Sequence, residues 1–180
     1  MPYVRSETEA LGPYPDSPDL DFSEVSADAV WQRLESWITS RFSPREVIWL
    51  VEGEGEFIPP LQPATITAID RWVSETYAAD TTTSGPMGGV LLATDGPYRI
   101  TATVGAGPVP AAVLEAFERL HGYLVAAKAD NHHGASRTSE TAVSGASRSH
   151  SRLGTWKARA LEQSGAADLL RPYKRNSAYV

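Results

Sequence analysis

The stretch Tyr98-Arg99-Ile100-Thr101-Ala102-Thr103-Val104 alternates apolar or aromatic side chains with polar ones at every step. A period of two is typical of a β-strand that turns one face to a core and the other to water. The turn residues Asp95-Gly96-Pro97 stand directly before it. We therefore predict an antiparallel strand at residues 98–104.

Further strands are predicted upstream of this stretch. Residues 47–51 form a short apolar run bounded by Pro44 and by glycines, which indicates a buried strand. Residues 65–73 are rich in β-branched and aromatic side chains; a helix is possible there, but the prolines before them favour a strand. Together these segments predict a β-rich insertion at residues 45–105.

Helical periodicity flanks the predicted insertion. Apolar side chains recur at helical spacing over residues 26–42, with Ser26 as the expected N-cap, and over residues 109–129. A third helix is expected at about residues 151–164, with Gly165 after its end. The expected fold is α+β, in which a small bundle of about three helices (residues 26–44 and 106–165) carries the antiparallel insertion.

The two ends of the chain are expected to be extended arms. Prolines and acids crowd residues 1–25, which favours an N-terminal arm. Residues 131–151 are rich in Ser, Thr and Gly and are expected to be mobile. Residues 166–180 are expected to form a C-terminal docking arm.

Charge divides the chain in two. Residues 1–136 hold 8 Lys/Arg and 19 Asp/Glu, whereas residues 137–180 hold 8 and 3, so the net charges are −11 and +5. An acidic body with a basic end favours a tail that binds an acidic surface outside its own fold. The chain has no cysteine, which excludes disulfides and thiolate chemistry. No apolar run approaches the ~20 residues that span a bilayer, so we expect no membrane partner.

No group of residues in the sequence predicts catalysis. His132-His133 could bind a metal and His121 could act as an acid or base, but a polar loop and a half-buried packing residue are the better explanations. The acids Glu52, Glu54 and Glu56 resemble a carboxylate pair, yet a solvated strand flank accounts for their spacing. We therefore expect a protein that is not an enzyme, without metal or other cofactor.

Two other features are candidate binding sites, one for phosphate and one for carbohydrate. The glycines at 85–89 and 105–107 lack phosphate-loop spacing and are better explained as turns. Trp49 and Trp72, in predicted strands, could stack a carbohydrate.

The basic end admits three interpretations: DNA contact, a solvated terminus, or a docking arm. The body's negative charge disfavours DNA. Apolar side chains beside the cations favour docking. The predicted docking residues are Leu169, Leu170, Arg171, Pro172, Tyr173, Lys174 and Arg175.

Several runs resemble the head–tail connector (adaptor) proteins of long-tailed phages and gene transfer agents. These are residues 37–47, 59–65, 95–105, 112–120 and 164–173. Together they extend over most of residues 30–175, although none is a mechanistic signature. The β-rich insertion departs from the simpler, nearly all-helical members of that family.

The resemblance implies a ring of about twelve copies at the head–tail junction, assembled in the bacterial cytoplasm. Its partners would be the portal protein, the stopper or tail-terminator protein, other copies of the chain, and double-stranded DNA passing through without specific binding. An acidic channel would repel phosphates and let DNA slide. The alternative is a carbohydrate-binding or surface-attachment module that uses the strand tryptophans.

Overall fold

A computed structural model describes residues 1–129, 137–143, 146–152 and 159–174 of the chain. The fold is α+β, and the chain divides into two compact units. Of the described residues, unit 1 comprises 1–15, 39–108 and 173–174, and unit 2 comprises 16–38, 109–129, 137–143, 146–152 and 159–172.

The elements are as follows. The strands are β1 (Tyr3–Glu9), β2 (Arg45–Glu52), β3 (Gly55–Phe57), β4 (Ala64–Val73), β5 (Thr76–Ala79), β6 (Thr83–Ser84), β7 (Val90–Leu92), β8 (Tyr98–Val104), β9 (Arg137–Val143) and β10 (Ala146–Arg152). The helices are α1 (Ala27–Trp37), α2 (Ala111–Ala129), α3 (Ala160–Gln163) and α4 (Ala166–Leu169), followed by a 3₁₀ turn at Arg171–Tyr173.

Unit 1 is built on a five-stranded antiparallel sheet of order β1-β2-β8-β4-β5. The predicted strand at residues 98–104 is confirmed as β8, in the centre of this sheet. Its even-numbered side chains are buried, and its odd-numbered ones are exposed or half-buried. The strands predicted at 47–51 and 65–73 are also confirmed, as β2 and β4.

A smaller sheet of order β3-β7-β6 completes the unit. Phe57 from β3 and Leu92 from β7 join one apolar core with the buried faces of β2 and β8. The largest fully buried side chains in that core are Trp49, Tyr98 and Ile100. The hydrophobic effect therefore fixes which face of the large sheet points inward, since a one-residue slip would expose the whole set.

Unit 2 is organised by the two long helices. The N-cap prediction for α1 is confirmed, because the Ser26 hydroxyl accepts a 3.3 Å hydrogen bond from the Ala29 amide. Trp31 of α1 packs on Phe117 of α2 with ring centroids 4.8 Å apart, and both are fully buried. The predicted helix at 109–129 is confirmed as α2.

The helical body differs from the predicted three-helix bundle. Beyond α1 and α2, the described residues hold only the single-turn helices α3 and α4. Gly165 follows α3 with φ of 75°, as predicted for the residue after a helix end. The segment expected to be mobile contains the paired strands β9 and β10.

The N-terminal segment also differs from an extended arm. Residues 3–9 form the edge strand β1. Their backbone pairs with β2, and Glu7 and Glu9 accept hydrogen bonds from Trp49 and Arg41. These contacts outweigh the preference of the nearby prolines for an unpaired arm. The two compact units divide near residues 15, 38 and 108. Within the described part of the chain, no helix combines the length and the apolar character needed to cross a membrane.

Candidate assembly surfaces

The hairpin of β4 and β5 presents an aromatic and apolar tip. Trp72 and Val73 are 43% and 41% exposed. Trp72 meets Tyr77 of β5 edge to face, with ring centroids 4.9 Å apart. Trp72 and Tyr77 share one face of the hairpin because they are directly opposite in its register, and exposed aromatic side chains are enriched at sites that bind another protein.

The turn of this hairpin is conformationally costly. Ser74 and Glu75 connect the strands with φ values of 50° and 68°. Two-residue hairpin turns with positive φ favour Asn-Gly, and an ordinary side chain there costs roughly 1–2 kcal/mol. The hairpin therefore keeps a tight tip despite unfavourable turn residues.

Polar contacts hold the hairpin's aromatic side chain in place. The Arg99 guanidinium lies 4.5 Å from the centroid of the Tyr77 ring. It also donates to Asp70 Oδ2 from Nε at 3.1 Å and from Nη2 at 2.7 Å. The Arg99 guanidinium therefore contacts both Asp70 and the Tyr77 ring, which helps to hold Tyr77 beside Trp72.

A second exposed apolar side chain is presented by the glycine loop at 85–89. The Glu56 carboxylate accepts backbone hydrogen bonds from Met87 at 2.8 Å and from Gly89 at 2.9 Å. The loop therefore holds a carboxylate of its own chain, and Met87 is left 66% exposed. This agrees with the prediction that the glycines serve a turn.

The edge strand β1 supplies carboxylates to buried donors of unit 1. Trp49 Nε1 donates a 2.7 Å hydrogen bond to Glu7 Oε2. Glu9 accepts from Arg41 Nε at 2.5 Å and Nη2 at 2.9 Å, and lies 3.3 Å from Arg45 Nη1. The side chains of Arg41 and Arg45 are only 8% and 3% exposed. Burying two guanidinium groups is costly without such partners. β1 therefore stabilises unit 1 through its carboxylates as well as through its backbone hydrogen bonds to β2.

A third contact binds β1 at its other end. Glu52 Oε2 accepts from Tyr3 Oη at 2.6 Å and from Arg5 Nε at 2.8 Å. The hydrogen bond from Tyr3, followed by that from Arg5, lowers the pKa of Glu52. The same Tyr3–Glu52 hydrogen bond raises the pKa of Tyr3.

The predicted docking residues do not form an extended arm. Leu169 ends α4 and is half-buried, and Leu170 is fully buried within its own fold. Tyr173 is half-buried and packs edge to face on Phe42 at 6.2 Å, and its carbonyl accepts a 3.4 Å hydrogen bond from the Thr39 amide. The exposed members of the set are Arg171, Pro172 and Lys174, and Arg175 lies outside the described residues.

The predicted tryptophan pair is also separated. Trp49 is fully buried in the core of unit 1. Trp72 is exposed, but its aromatic neighbour is Tyr77. The pairing was missed because it depends on the register of β4 with β5, where Trp72 lies directly opposite Tyr77.

The other candidate residues are dispersed. His121 is 6% exposed and stacks parallel to Phe117 at 6.5 Å, which agrees with a packing residue. His132 and His133 lie outside the described residues. In the described part of the chain, no three His, Cys, Asp or Glu side chains are grouped so that they could hold a metal ion.

The chain was compared with protein-family models, with curated proteins and with solved structures, and none of the three comparisons gives a match.

Proposed function

We propose that this protein is a structural head–tail adaptor. Copies of the chain form a ring that joins the portal of a DNA-filled capsid to the stopper or tail and lines the channel for the DNA. The observation that carries the proposal is the exposure of Trp72 and Val73 at the end of β4, where Trp72 packs edge to face on Tyr77. It offers binding surface for protein partners.

The charged groups of unit 1 support an assembly role. Glu7, Glu9, Glu52 and Glu56 all hold groups of their own unit in place. These carboxylates therefore stabilise the fold and its loops through hydrogen bonds and ion pairs. The apolar side chains Trp72, Val73, Met87 and Leu91 remain accessible.

The folded C-terminal segment changes how the portal would be bound. Leu170 is buried in the isolated chain, so it could fill a portal pocket only by leaving this position. Portal contact through this segment would use the exposed cations Arg171 and Lys174. Such contacts are electrostatic and weaken as the salt concentration rises.

Capture by the portal tests the proposal. The full chain is incubated with assembled portal rings of its own particle, and its oligomeric state is measured by light scattering and electron microscopy. The variants are Trp72→Ala with Val73→Ser, and Arg171→Ala with Lys174→Ala. Leu11→Ser is the matched control, because Leu11 is 87% exposed but lies outside both surfaces.

The expected result is ring formation and salt-sensitive capture by the wild-type chain and the control. Loss of capture in the cation variant and loss of ring or stopper contact in the tip variant are expected. A wild-type chain that neither forms rings nor binds the portal contradicts the proposal.

The aromatic pair favours one alternative, a carbohydrate-binding module. Trp72 and Tyr77 lie beside the Arg99–Asp70 ion pair, and aromatic faces with nearby polar groups suit a sugar. If a glycan array detects binding that Trp72→Ala abolishes while assembly is unchanged, this alternative replaces the adaptor.

A further inference from the structure

The chain reaches unit 1 in separate passes. Residues 1–15, which include β1, belong to unit 1, whereas residues 16–38 belong to unit 2, and the chain returns to unit 1 at residue 39. The chain between β1 and its pairing partner β2 therefore includes a whole segment of unit 2, residues 16–38. No short loop determines which copy of the chain supplies β1 to a given sheet.

The edge of β2 requires a β1 strand. Trp49 needs the Glu7 carboxylate, and Arg41 and Arg45 have Glu9 as a partner. Glu52 on β2 accepts hydrogen bonds from Tyr3 and Arg5. A sheet without β1 would lose all of these contacts together with the ladder from residues 3 to 9.

A β1 strand from a second copy would make the same contacts. Residues 3–8 are exposed, and the contacts described for β1 with the rest of unit 1 are with residues of β2 and with Arg41 just before it. Exchange would preserve each of these contacts, because it changes only which copy supplies β1 and not the residues that β1 touches. Prolines 13, 15 and 18 stiffen the segment after β1 and disfavour its collapse onto itself.

We propose that β1 is exchanged between neighbouring copies, so that each copy's residues 3–9 complete the sheet of the next. The partner is a second copy of this chain, and the inference rests on the proposed ring. In a ring each β2 edge has a neighbouring β1 at high effective concentration, and successive exchanges bind the copies into a closed circle.

Disulfide cross-linking tests the exchange in the assembled full chain. Thr8 and Ile48 lie directly opposite each other in the β1–β2 register, and the natural chain has no cysteine. Opposite strand residues are about 5 Å apart, which a disulfide can bridge. The chain with Thr8→Cys and Ile48→Cys is oxidised in the ring and separated on a denaturing, non-reducing gel.

The control pair is Thr65→Cys with Thr103→Cys, which are opposite in β4 and β8 and belong to one continuous pass through unit 1. Exchange predicts loss of the monomer band and a ladder of linked multimers for the Thr8/Ile48 pair, and monomers for the control. If the rings form but both pairs run as monomers, the exchange is overturned and the adaptor proposal stands.

A mixture of two single-cysteine chains provides the second measurement. One chain carries Thr8→Cys and the other Ile48→Cys, so neither can close a β1–β2 disulfide within itself. Dimers that contain both chains support the exchange, and their absence from intact mixed rings overturns it. A chain that stays monomeric by light scattering, even with the portal present, overturns both the exchange and the ring.

Discussion

Trp49 and Glu7 form a hydrogen bond of 2.7 Å between the buried sheet and its edge strand. The indole is fully buried, so its N–H has no access to water. The carboxylate reaches it from β1, where Glu7 lies opposite Trp49. The edge strand therefore takes part in the core of unit 1 rather than merely covering it.

Glu7→Ala is expected to lower the free energy of unfolding by about 1–3 kcal/mol, since it leaves a buried donor without its acceptor. Urea denaturation measures the change. Glu7→Gln keeps an acceptor and should recover most of the stability. Glu54→Ala removes an exposed acid from the same unit and is the control. Equal stability of Glu7→Ala and Glu54→Ala would show that the hydrogen bond is not formed.

The Glu52 contact with Tyr3 and Arg5 makes the binding of β1 dependent on pH. The pKa of Glu52 is lowered from its ordinary value of 4.5 by these hydrogen bonds, the one from Tyr3 first. A depressed pKa contributes stability above the unfolded value, and that contribution is lost as the pH falls through the folded value. The stability difference between wild type and Glu52→Gln should therefore be present at pH 7 and shrink below about 4.5.

At high pH the same contact is affected through Tyr3. The pKa of Tyr3 is raised from 10.0, chiefly by its hydrogen bond to Glu52, so this contribution is present below pH 10.0 and lost as the pH rises through the raised value. Tyr3→Phe is the matched control: it has no hydroxyl to ionise, so it should not lose stability at high pH in this way. A wild-type to Glu52→Gln difference that is constant from pH 3 to 7 would contradict the prediction.

The sequence predicts the sheet better than it predicts the edge. The period of two in residues 98–104 is a local property, so β8 and its exposed face follow from it directly. β1 was missed because prolines nearby indicated an arm, whereas the residues it pairs with are 38 to 49 positions further along the chain. The signal that could have indicated β1 was the spacing of Glu7 and Glu9, because residues two apart lie on the same face of a strand.

The candidate surfaces were predicted less completely, for a related reason. The exposure of Trp72 and the burial of Trp49 depend on which sheet face meets the core, and Trp72–Tyr77 depends on register. The clusters of apolar and basic residues near the C-terminus suggested docking. The short helices at 160–169 instead turn Leu170 inward, which no local pattern indicated.

Gly105 and Gly107 provide a matched pair for the loop after β8. Both have positive φ, 91° and 85°, so alanine at either position costs roughly 1–2 kcal/mol of backbone strain. A Cβ at Gly105 would also overlap the Ser43 carbonyl, whereas one at Gly107 has nothing within 4 Å. Gly105→Ala should therefore lose about 1–3 kcal/mol more than Gly107→Ala in thermal or urea unfolding. Equal losses would mean that Ser43 moves aside freely.

Leu170 and Arg171 are adjacent in sequence but are expected to respond differently to substitution. Leu170 is fully buried, so Leu170→Ala should cost about 2–5 kcal/mol through lost burial and the cavity left behind. Arg171 is exposed, so Arg171→Ala should leave the unfolding midpoint unchanged within about 0.5 kcal/mol. Calorimetry measures both changes, and portal capture is then compared at a temperature at which both variants are folded. The buried leucine should affect capture only as far as it affects folding, and the exposed arginine should affect capture alone. A stable Leu170→Ala variant that fails to bind the portal would instead show that Leu170 leaves its core on assembly and acts as a docking residue.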